Sequence, residues 1–340
     1  MTKPVPFHGF IGQRRAVQLI QDQAEGAKAA GKTFPNVLLM GQSGLGKTEL
    51  AAAIAAEMGL KMRHITASGE TDELLALKEV RSHDIVFVDE AHALSHHAQE
   101  FLFPYLDADA VAAVADHQAL PVCTFLLATD QPGRLVQALH RRILISIILF
   151  PYSEEEMIDI IARIASDHGL AMSPQARRML ARSAQGNPRV ARHRVQCLST
   201  FAQVAVSKSV DRPMVQRFLA IHGVDACNRT DGQIAYLRAL HRIGGTGSLE
   251  TIASQIGADA SYIERLVEPF LLSQGWILKS SRGRSLTPNG VASLGPQNAD
   301  PEKSEGAACE PDLIESPGPE ETPPAAPLHT PSSITPESNP

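Results

Sequence analysis

The stretch Gly41-Gln42-Ser43-Gly44-Leu45-Gly46-Lys47-Thr48 decides the fold class of this chain. It satisfies the pattern G-x-x-x-x-G-K-[ST], and it stands between an apolar run, Val37–Met40, and a helical pattern over residues 50–58. In this context the pattern predicts a P-loop. The glycines let backbone N–H groups face phosphates, Lys47 supplies charge to the outer phosphates, and the Thr48 hydroxyl is placed for Mg²⁺. We therefore expect an α/β P-loop NTPase domain; a chance glycine-rich turn is the alternative.

A second motif supplies the acidic groups that such a site needs. In Asp84-Ile85-Val86-Phe87-Val88-Asp89-Glu90 an apolar strand ends in two carboxylates. Asp89 is predicted to hold Mg²⁺ through water, as a Walker B aspartate does, and Glu90 to be the general base that orients the attacking water. Taken alone the motif also suits a surface loop, but its position after the P-loop favours the nucleotide site.

A third apolar run, residues 124–127, precedes Thr129, which is the candidate for a polar group between the two motifs that positions water. A turn or helix-capping threonine is the alternative for such a residue. The three apolar runs predict buried strands, with helices at 50–58 and 73–78 between them. Strands separated by helices indicate a parallel sheet that is covered on both faces.

The pattern then changes twice along the chain. Ser153-Glu154-Glu155-Glu156 predicts a helix start, and only helical patterns follow to about residue 225. Three short helical patterns and a two-stranded ribbon then predict a winged helix. The predicted domains are an α/β ATPase domain at 1–151, a small helical lid at 152–225, a winged helix at 226–292 and a tail at 293–340.

The tail differs in composition from the rest of the chain. It has no Phe, Tyr or Trp and holds 11 of the 23 prolines, which predicts disorder because too little apolar surface can be buried. It also holds nine acidic residues and one lysine, so the remainder, with 30 basic and 28 acidic residues, is nearly neutral. A DNA site must then be a local basic patch. Lys279, Arg282 and Arg284 on the ribbon are the candidates for phosphate contact.

Composition also excludes some protein classes. The longest apolar run, residues 143–150, is much shorter than the ~18 residues that a membrane span needs, and the N-terminal residues lack the pattern of a signal peptide. The four cysteines, Cys123, Cys197, Cys227 and Cys309, form no C-x-x-C pair. Their spacing argues against a disulfide framework or a zinc site and favours the cytoplasm.

The order of these motifs resembles that of the RuvB family of AAA+ motor ATPases, over about residues 7 to 290. The N-terminal half of the resemblance consists of Phe10-Ile11-Gly12-Gln13, Gly44-Leu45-Gly46-Lys47-Thr48, Val88-Asp89-Glu90-Ala91-His92-Ala93-Leu94 and Gly186-Asn187-Pro188-Arg189-Val190-Ala191. In the winged helix it consists of Leu249-Glu250-Thr251-Ile252-Ala253 and Gln274-Gly275-Trp276-Ile277. The resemblance implies an AAA+ large domain with a parallel sheet, a lid and a winged helix.

The resemblance also implies roles for matching residues. Phe10 and Ile11 would line the adenine pocket, Arg189 would be the lid residue called sensor 2, and Arg142 would be the arginine finger that reaches a neighbour's nucleotide. A solvated helix arginine is the alternative for Arg189. The implied nucleotide-binding set is Phe10, Ile11, Gly41, Gly44, Leu45, Gly46, Lys47, Thr48, Glu49, Asp89 and Arg189, and the implied catalytic set is Glu90, Arg142 and Thr129. Thr48 and Asp89 would hold Mg²⁺ together with ATP.

The chain departs from the family motifs at three places. P-L-R-x-R-F-G becomes Ala138-Leu139-His140-Arg141-Arg142-Ile143-Leu144, so that Arg141 is an alternative finger to Arg142. A-T-T-R becomes Ala128-Thr129-Asp130-Gln131. The segment before Pro121 is shorter than in the family, where it forms the hairpin that contacts the junction-binding partner RuvA. Binding of a RuvA-like partner therefore stays open.

The family activity implied by the resemblance is ATP-driven branch migration of four-way DNA junctions. The resemblance also implies a homo-oligomeric ring, hexameric as in that family, around double-stranded DNA. Two other functions fit the same motifs. One is an AAA+ switch whose ring closes on ATP and regulates a winged helix without moving DNA. The other is a diverged relative that works without RuvA, and a winged helix can also bind protein.

Overall fold

The computed structural model describes residues 7–67, 80–107, 122–204 and 209–295 of the chain. Its large domain contains a sheet of five parallel strands in the order β2-β3-β4-β1-β5. The strands are β1 (Val37–Met40), β2 (Met62–Thr66), β3 (Ile85–Asp89), β4 (Thr124–Thr129) and β5 (Ile145–Ile148). The helices of this domain are α1 (Arg14–Ala29), α2 (Lys47–Met58), α3 (His96–Leu106) and α4 (Gln137–Arg142), with short 3₁₀ turns at Phe7–Gly9, Ala91–Ala93 and Pro132–Arg134.

The sheet is buried on both faces, which explains why its central strands are continuous apolar runs. Successive side chains of a strand point to opposite faces. Leu39 and Phe87 join the core that contains residues of α1 and α2, whereas Leu38 and Val88 join the core that contains residues of α3 and α4. The predicted parallel sheet with helices on both faces is confirmed.

The strands differ from the prediction in extent and number. Strand β1 has the predicted bounds, but β4 continues past residue 127, so Thr129 is its last residue and does not lie beyond the strand. Strands β2 and β5 were not predicted. They are the two edge strands of the sheet. Strand β2 is only partly buried and forms no apolar run, whereas β5 lies within the apolar run 143–150, which was considered only as a membrane span.

The lid contains α5 (Glu154–Asp167), α6 (Pro174–Ser183), α7 (Pro188–Val204) and α8 (Arg212–Ile221), with a short parallel pair of strands, β6 (Ala171–Met172) and β7 (Ser209–Val210). Its first helix begins at the predicted residue. The Ser153 hydroxyl accepts from Glu156 N at 3.2 Å, and the Glu156 carboxylate accepts from Ser153 N at 2.9 Å, which forms a capping box.

The winged helix has its own core, which includes Tyr236, Leu240, Ile252, Leu271 and Ile277. Its elements are α9 (Asp231–Arg242), β8 (Thr246–Gly247), α10 (Leu249–Ile256), α11 (Ala260–Tyr262), a π-helical turn (Ile263–Val267), α12 (Glu268–Ser273), β9 (Ile277–Ser280), β10 (Gly283–Leu286) and α13 (Pro288–Ser293). The predicted ribbon is a three-stranded antiparallel sheet in the order β8-β10-β9. Its two-residue strand β8 is too short to give a pattern in the sequence.

Three expectations concern residues outside those that the structure describes: the helix at 73–78, the shortened segment before Pro121, and the tail beyond residue 295. Helix α13 ends at Ser293, so the ordered winged helix continues past residue 292. Among the described helices, none combines the length and the hydrophobicity that a membrane span requires.

Candidate functional site

The P-loop connects strand β1, which lies between β4 and β5, to helix α2 and packs against the lid. Gly41, Gly44 and Gly46 have φ values of 143°, 90° and 96°. A Cβ atom on Gly44 would lie 2.4 Å from Asn187 Oδ1 and 2.7 Å from Arg189 Cβ. Gly44 is therefore required both by its backbone conformation and by the close approach of the lid.

Lys47 begins α2 and is buried inside the loop. Its Nζ donates to two carbonyl oxygens of the loop, at 2.7 and 3.1 Å. Burial lowers the pKa of Lys47, and the nearby carboxylates of Glu90, Asp89 and Asp130 oppose that shift. A buried ammonium group thus faces three carboxylates at the carboxyl edge of the sheet, which is the charge arrangement of a phosphate and cation site.

The strand order places the two acidic residues and the sensor segment next to the P-loop. Strand β4 lies between β1 and β3, and Gly41 N donates to Thr129 O at 3.1 Å. Asp89 is the last residue of β3, and its Oδ1 accepts from Glu90 N at 3.0 Å. Glu90 has a φ of 52°, an uncommon conformation for a residue with a side chain.

Asp130 and His92 belong to this site, although the sequence analysis missed both. Thr129 is fully buried, and its hydroxyl accepts from Gln131 N at 2.9 Å and lies 3.1 Å from His92 Nδ1. Asp130 is the polar side chain of this segment that interacts electrostatically with Lys47. His92 Nδ1 lies 3.4 Å from Glu90 Oε2 and 3.5 Å from Asp130 Oδ1. The sequence signal that could have identified Asp130 is its departure from the family motif A-T-T-R at this position.

The N-terminal segment and the start of the lid enclose the other side of the P-loop. The Phe10 ring lies against Gly46, where an added Cβ would be 3.7 Å from Phe10 Cζ. Tyr152 donates its hydroxyl hydrogen to Leu45 O at 3.1 Å. Ile11 is half-buried beside Phe10. The structure thus places Phe10 beside the P-loop, and the adenine-side role of Phe10 and Ile11 stays a prediction.

Two lid residues bind the P-loop directly. Arg189 Nη1 donates to Ser43 Oγ at 2.5 Å, and Asn187 Nδ2 donates to Ser43 O at 2.9 Å. The Asn187 side chain also accepts from Arg189 N at 3.0 Å, which fixes the start of α7. Arg189 therefore lies at the place where a lid arginine can contact phosphates.

Arg142, the proposed finger, is held within its own chain. Its Nε donates to Asp107 Oδ2 at 2.9 Å, its Nη1 donates to Ala138 O at 3.0 Å, and its guanidinium lies 4.4 Å from the centre of the Phe103 ring. Arg141, the alternative, is exposed. The choice between the two arginines stays a prediction.

The three basic residues of the wing do not form one phosphate-facing patch. Arg284 turns inward, where its Nε donates to Glu268 Oε1 at 2.8 Å and its side chain is only 11% exposed. Lys279 Nζ donates to Glu264 Oε1 at 2.5 Å. Arg282 is exposed at the turn between β9 and β10. Glu268 on helix α12 holds the Arg284 guanidinium in the domain interior, so Arg284 is less accessible to phosphates than Arg282, and the DNA contacts of the three residues stay a prediction.

Comparison with known proteins gives the same domain order. Residues 2–149 match the family model described as the Holliday junction DNA helicase RuvB P-loop domain, residues 152–225 the RuvB AAA lid domain, and residues 230–295 the RuvB C-terminal winged helix domain. The Holliday junction branch migration complex subunit RuvB of Lacticaseibacillus casei (strain BL23) is 33% identical over 301 residues, which are 84% of this chain and 88% of that relative.

Solved structures agree with this match. The Thermotoga maritima RuvB Holliday junction branch migration motor has a TM-score of 0.77 and 26% identity, covering 86% of this chain and 97% of that one. A variant of the same protein has a TM-score of 0.76 and covers 87% of this chain and 99% of that one. Because all three domains match in one order, and the identity to the Lacticaseibacillus casei relative extends over most of both chains, the chain belongs to the RuvB family of P-loop ATPases.

Proposed function

We propose that this chain is a DNA motor that uses ATP hydrolysis to drive branch migration of four-way junctions, as a hexameric ring around double-stranded DNA. The observation that carries the proposal is a P-loop site with its acidic partners in the same chain as a RuvB-type winged helix. The relatives in the comparison carry this activity in their names.

The residues at the P-loop fit ATP with Mg²⁺. The backbone N–H groups of the loop and Lys47 suit the phosphates. The Thr48 hydroxyl and the Asp89 carboxylate are hard oxygen donors of the kind that Mg²⁺ prefers. Asp89 ends β3 and Thr48 follows β1 through the P-loop, and these parallel strands end at the same edge of the sheet. Bound there, Mg²⁺ would neutralise phosphate charge. Phe10 and Ile11 form the adenine side, and Glu49 lies on the first turn of α2.

Hydrolysis in this proposal depends on groups from three places. Glu90 accepts a proton from the attacking water, and the Thr129 and Asp130 segment orients it. Arg142 of a neighbouring subunit stabilises the charge that develops on the phosphates, after it leaves Asp107. Arg141 is the alternative for this role.

Contact with DNA is assigned to the outer face of the winged helix. Arg282 is exposed on the wing, and Lys279 lies on the neighbouring strand with its ammonium group at Glu264. Both side chains can reach phosphates because they are at the surface, and backbone contact of this kind requires no base recognition. Binding to a RuvA-like partner is left as a question for experiment.

The test is branch migration of a four-way DNA junction by the full-length chain with ATP, with and without RuvA from the same cell. Migration that needs hydrolysable ATP supports the motor, and its dependence on RuvA decides whether that partner is needed. DNA binding with negligible ATP turnover would contradict the motor and favour a nucleotide-controlled switch.

A further inference from the structure

We propose that Glu90, His92 and Asp130 form a second divalent-cation site, separate from the Mg²⁺ that accompanies ATP. The site would take a transition-metal ion that accepts both imidazole nitrogen and carboxylate oxygen, such as Co²⁺, Mn²⁺ or Zn²⁺. Binding there holds the Glu90 carboxylate and so lowers ATP turnover.

The spacing of the three groups is that of metal ligands. His92 Nδ1 lies 3.4 Å from Glu90 Oε2 and 3.5 Å from Asp130 Oδ1, and one ligand atom from each residue lies within 4.8 Å of the others. Metal–ligand bonds of ~2.0–2.2 Å at tetrahedral angles put neighbouring ligand atoms about 3.4 Å apart. His92 Nδ1 also lies 3.1 Å from Thr129 Oγ1, and a bound ion would replace that contact.

The surroundings of His92 suit a ligand. Its side chain is 10% exposed, and Gln131 Nε2 lies 2.9 Å from His92 Nε2. Metal binding at Nδ1 requires the Gln131 amide to turn over, so that its oxygen accepts from Nε2–H and Nδ1 carries the lone pair. The carboxylates of Glu90 and Asp130 are 39% and 21% exposed, so one side of the site is open to solvent for entry of the ion.

The local charge also favours a cation. The carboxylates of Asp89, Glu90 and Asp130 and the cations Lys47 and Arg189 interact in one cluster, which carries one more negative than positive charge. Where the family motif reads A-T-T-R, this chain has an acid in place of the second threonine and a neutral amide in place of the arginine. Both changes make the surroundings of His92 more negative in charge, and the first of them supplies Asp130, one of the three proposed ligands.

Binding of the ion and its effect on turnover are separate consequences. Binding depends only on the three side chains. The effect on turnover rests on the proposed role of Glu90 as the general base, because a carboxylate bound to a metal is a poorer acceptor for the proton of water. The two are therefore measured separately.

The binding experiment titrates Co²⁺ into the full-length chain without nucleotide and follows the visible absorption of the bound ion. Asp130→Asn keeps the shape of the side chain but removes its charge. The matched control is Cys197→Ser, because Cys197 Sγ lies 3.9 Å from His193 Nε2 and that pair is a competing surface site. We expect wild-type absorption from Cys197→Ser and a Co²⁺ affinity at least about 10-fold weaker for Asp130→Asn.

His92→Asn is the second variant and should weaken Co²⁺ binding to a similar degree, while its thermal unfolding stays near that of the wild type. Equal Co²⁺ affinity of wild type, Asp130→Asn and His92→Asn would overturn the site, as would loss of the signal in Cys197→Ser. With Mg²⁺ and ATP saturating, Co²⁺ should inhibit wild type more than Asp130→Asn, each relative to its own rate without Co²⁺. If Co²⁺ binds wild type more tightly than Asp130→Asn but inhibits both equally, the proposed effect on turnover through Glu90 is overturned. That result would not contradict the proposed DNA-motor activity.

Discussion

Arg282 and Arg284 lie two residues apart on the wing, yet the structure predicts different effects for their removal: loss of Arg284 should lower stability, and loss of Arg282 should weaken DNA binding. Arg284 donates to both carboxylate oxygens of Glu268, at 2.8 and 3.3 Å, and the Glu268 side chain is 1% exposed. Tyr236 donates to the same carboxylate at 2.9 Å. The bonds to Glu268 raise the pKa of Arg284, so the guanidinium stays charged in the interior. Arg282 is exposed at the turn.

Arg284→Ala should therefore destabilise the winged helix. Removing one member of a buried ion pair costs about 3 to 5 kcal/mol because the other charge is left without its partner. Tyr236 still donates to Glu268, so we expect the lower end, about 3 kcal/mol. In a domain of this size that loss lowers the melting temperature by at least about 10 °C. Trp276 is the only tryptophan of the chain and contacts Phe270 edge-on, so its fluorescence follows unfolding of this domain.

Arg282→Ala is the matched control, and it should melt like the wild type. Its effect should appear in DNA binding, where losing one phosphate contact makes the dependence of log affinity on log salt shallower by about 0.9. Binding to two unrelated duplexes should weaken equally. If Arg284→Ala melts at the wild-type temperature and has the shallower salt slope, the buried ion pair does not stabilise the domain and the reasoning is refuted.

Three further predictions concern the nucleotide site. Glu90→Gln should retain nucleotide affinity while steady-state hydrolysis falls by on the order of 10²-fold or more, because an amide cannot accept the proton; unchanged turnover would remove Glu90 from the mechanism. In rings mixed with wild-type subunits, Arg142→Ala should lower turnover and Arg141→Ala should not, and the reverse result would assign the finger to Arg141. Burial raises the pKa of Tyr152 to about 12 from an ordinary value of 10.0, so its contribution to stability is complete below pH 10 and declines as the pH rises towards 12. Tyr152→Phe should lose about 1 kcal/mol at neutral pH but be less sensitive to alkaline unfolding, and equal pH profiles would contradict this.

The structural features that the sequence predicted correctly are those determined by interactions between neighbouring residues. The P-loop and the helix start at Ser153 were predicted because adjacent residues determine a tight turn or a helix cap. Edge strand β5 was missed although it lies within the apolar run 143–150, because a short apolar run alone does not distinguish a strand from a helix. Only its pairing with β1, which is distant in sequence, identifies it as a strand.

The site residues that sequence reasoning missed or misplaced depend on contacts between distant segments. Thr129 was chosen on the assumption that β4 ends before it, but the strand continues and leaves Asp130 as the side chain near Lys47. Arg284 was grouped with Arg282 because the wing sequence is basic. Its partner Glu268 lies on a helix 16 residues earlier, and only the packing of that helix against the wing brings the two together.

The contacts at Ser43 indicate how the lid can respond directly to a nucleotide bound at the P-loop. Asn187 binds the backbone oxygen of Ser43, whereas Arg189 binds its hydroxyl, at 2.9 and 2.5 Å respectively. A phosphate oxygen is a better acceptor for a guanidinium than a neutral hydroxyl, because the phosphate is itself charged and can accept two parallel N–H bonds. We therefore infer that Arg189 exchanges Ser43 Oγ for phosphate while Asn187 keeps its contact. Since a ligand shifts a conformational equilibrium only through contacts that differ between the two states, this exchange is a contact through which a bound nucleotide would change the position of the lid.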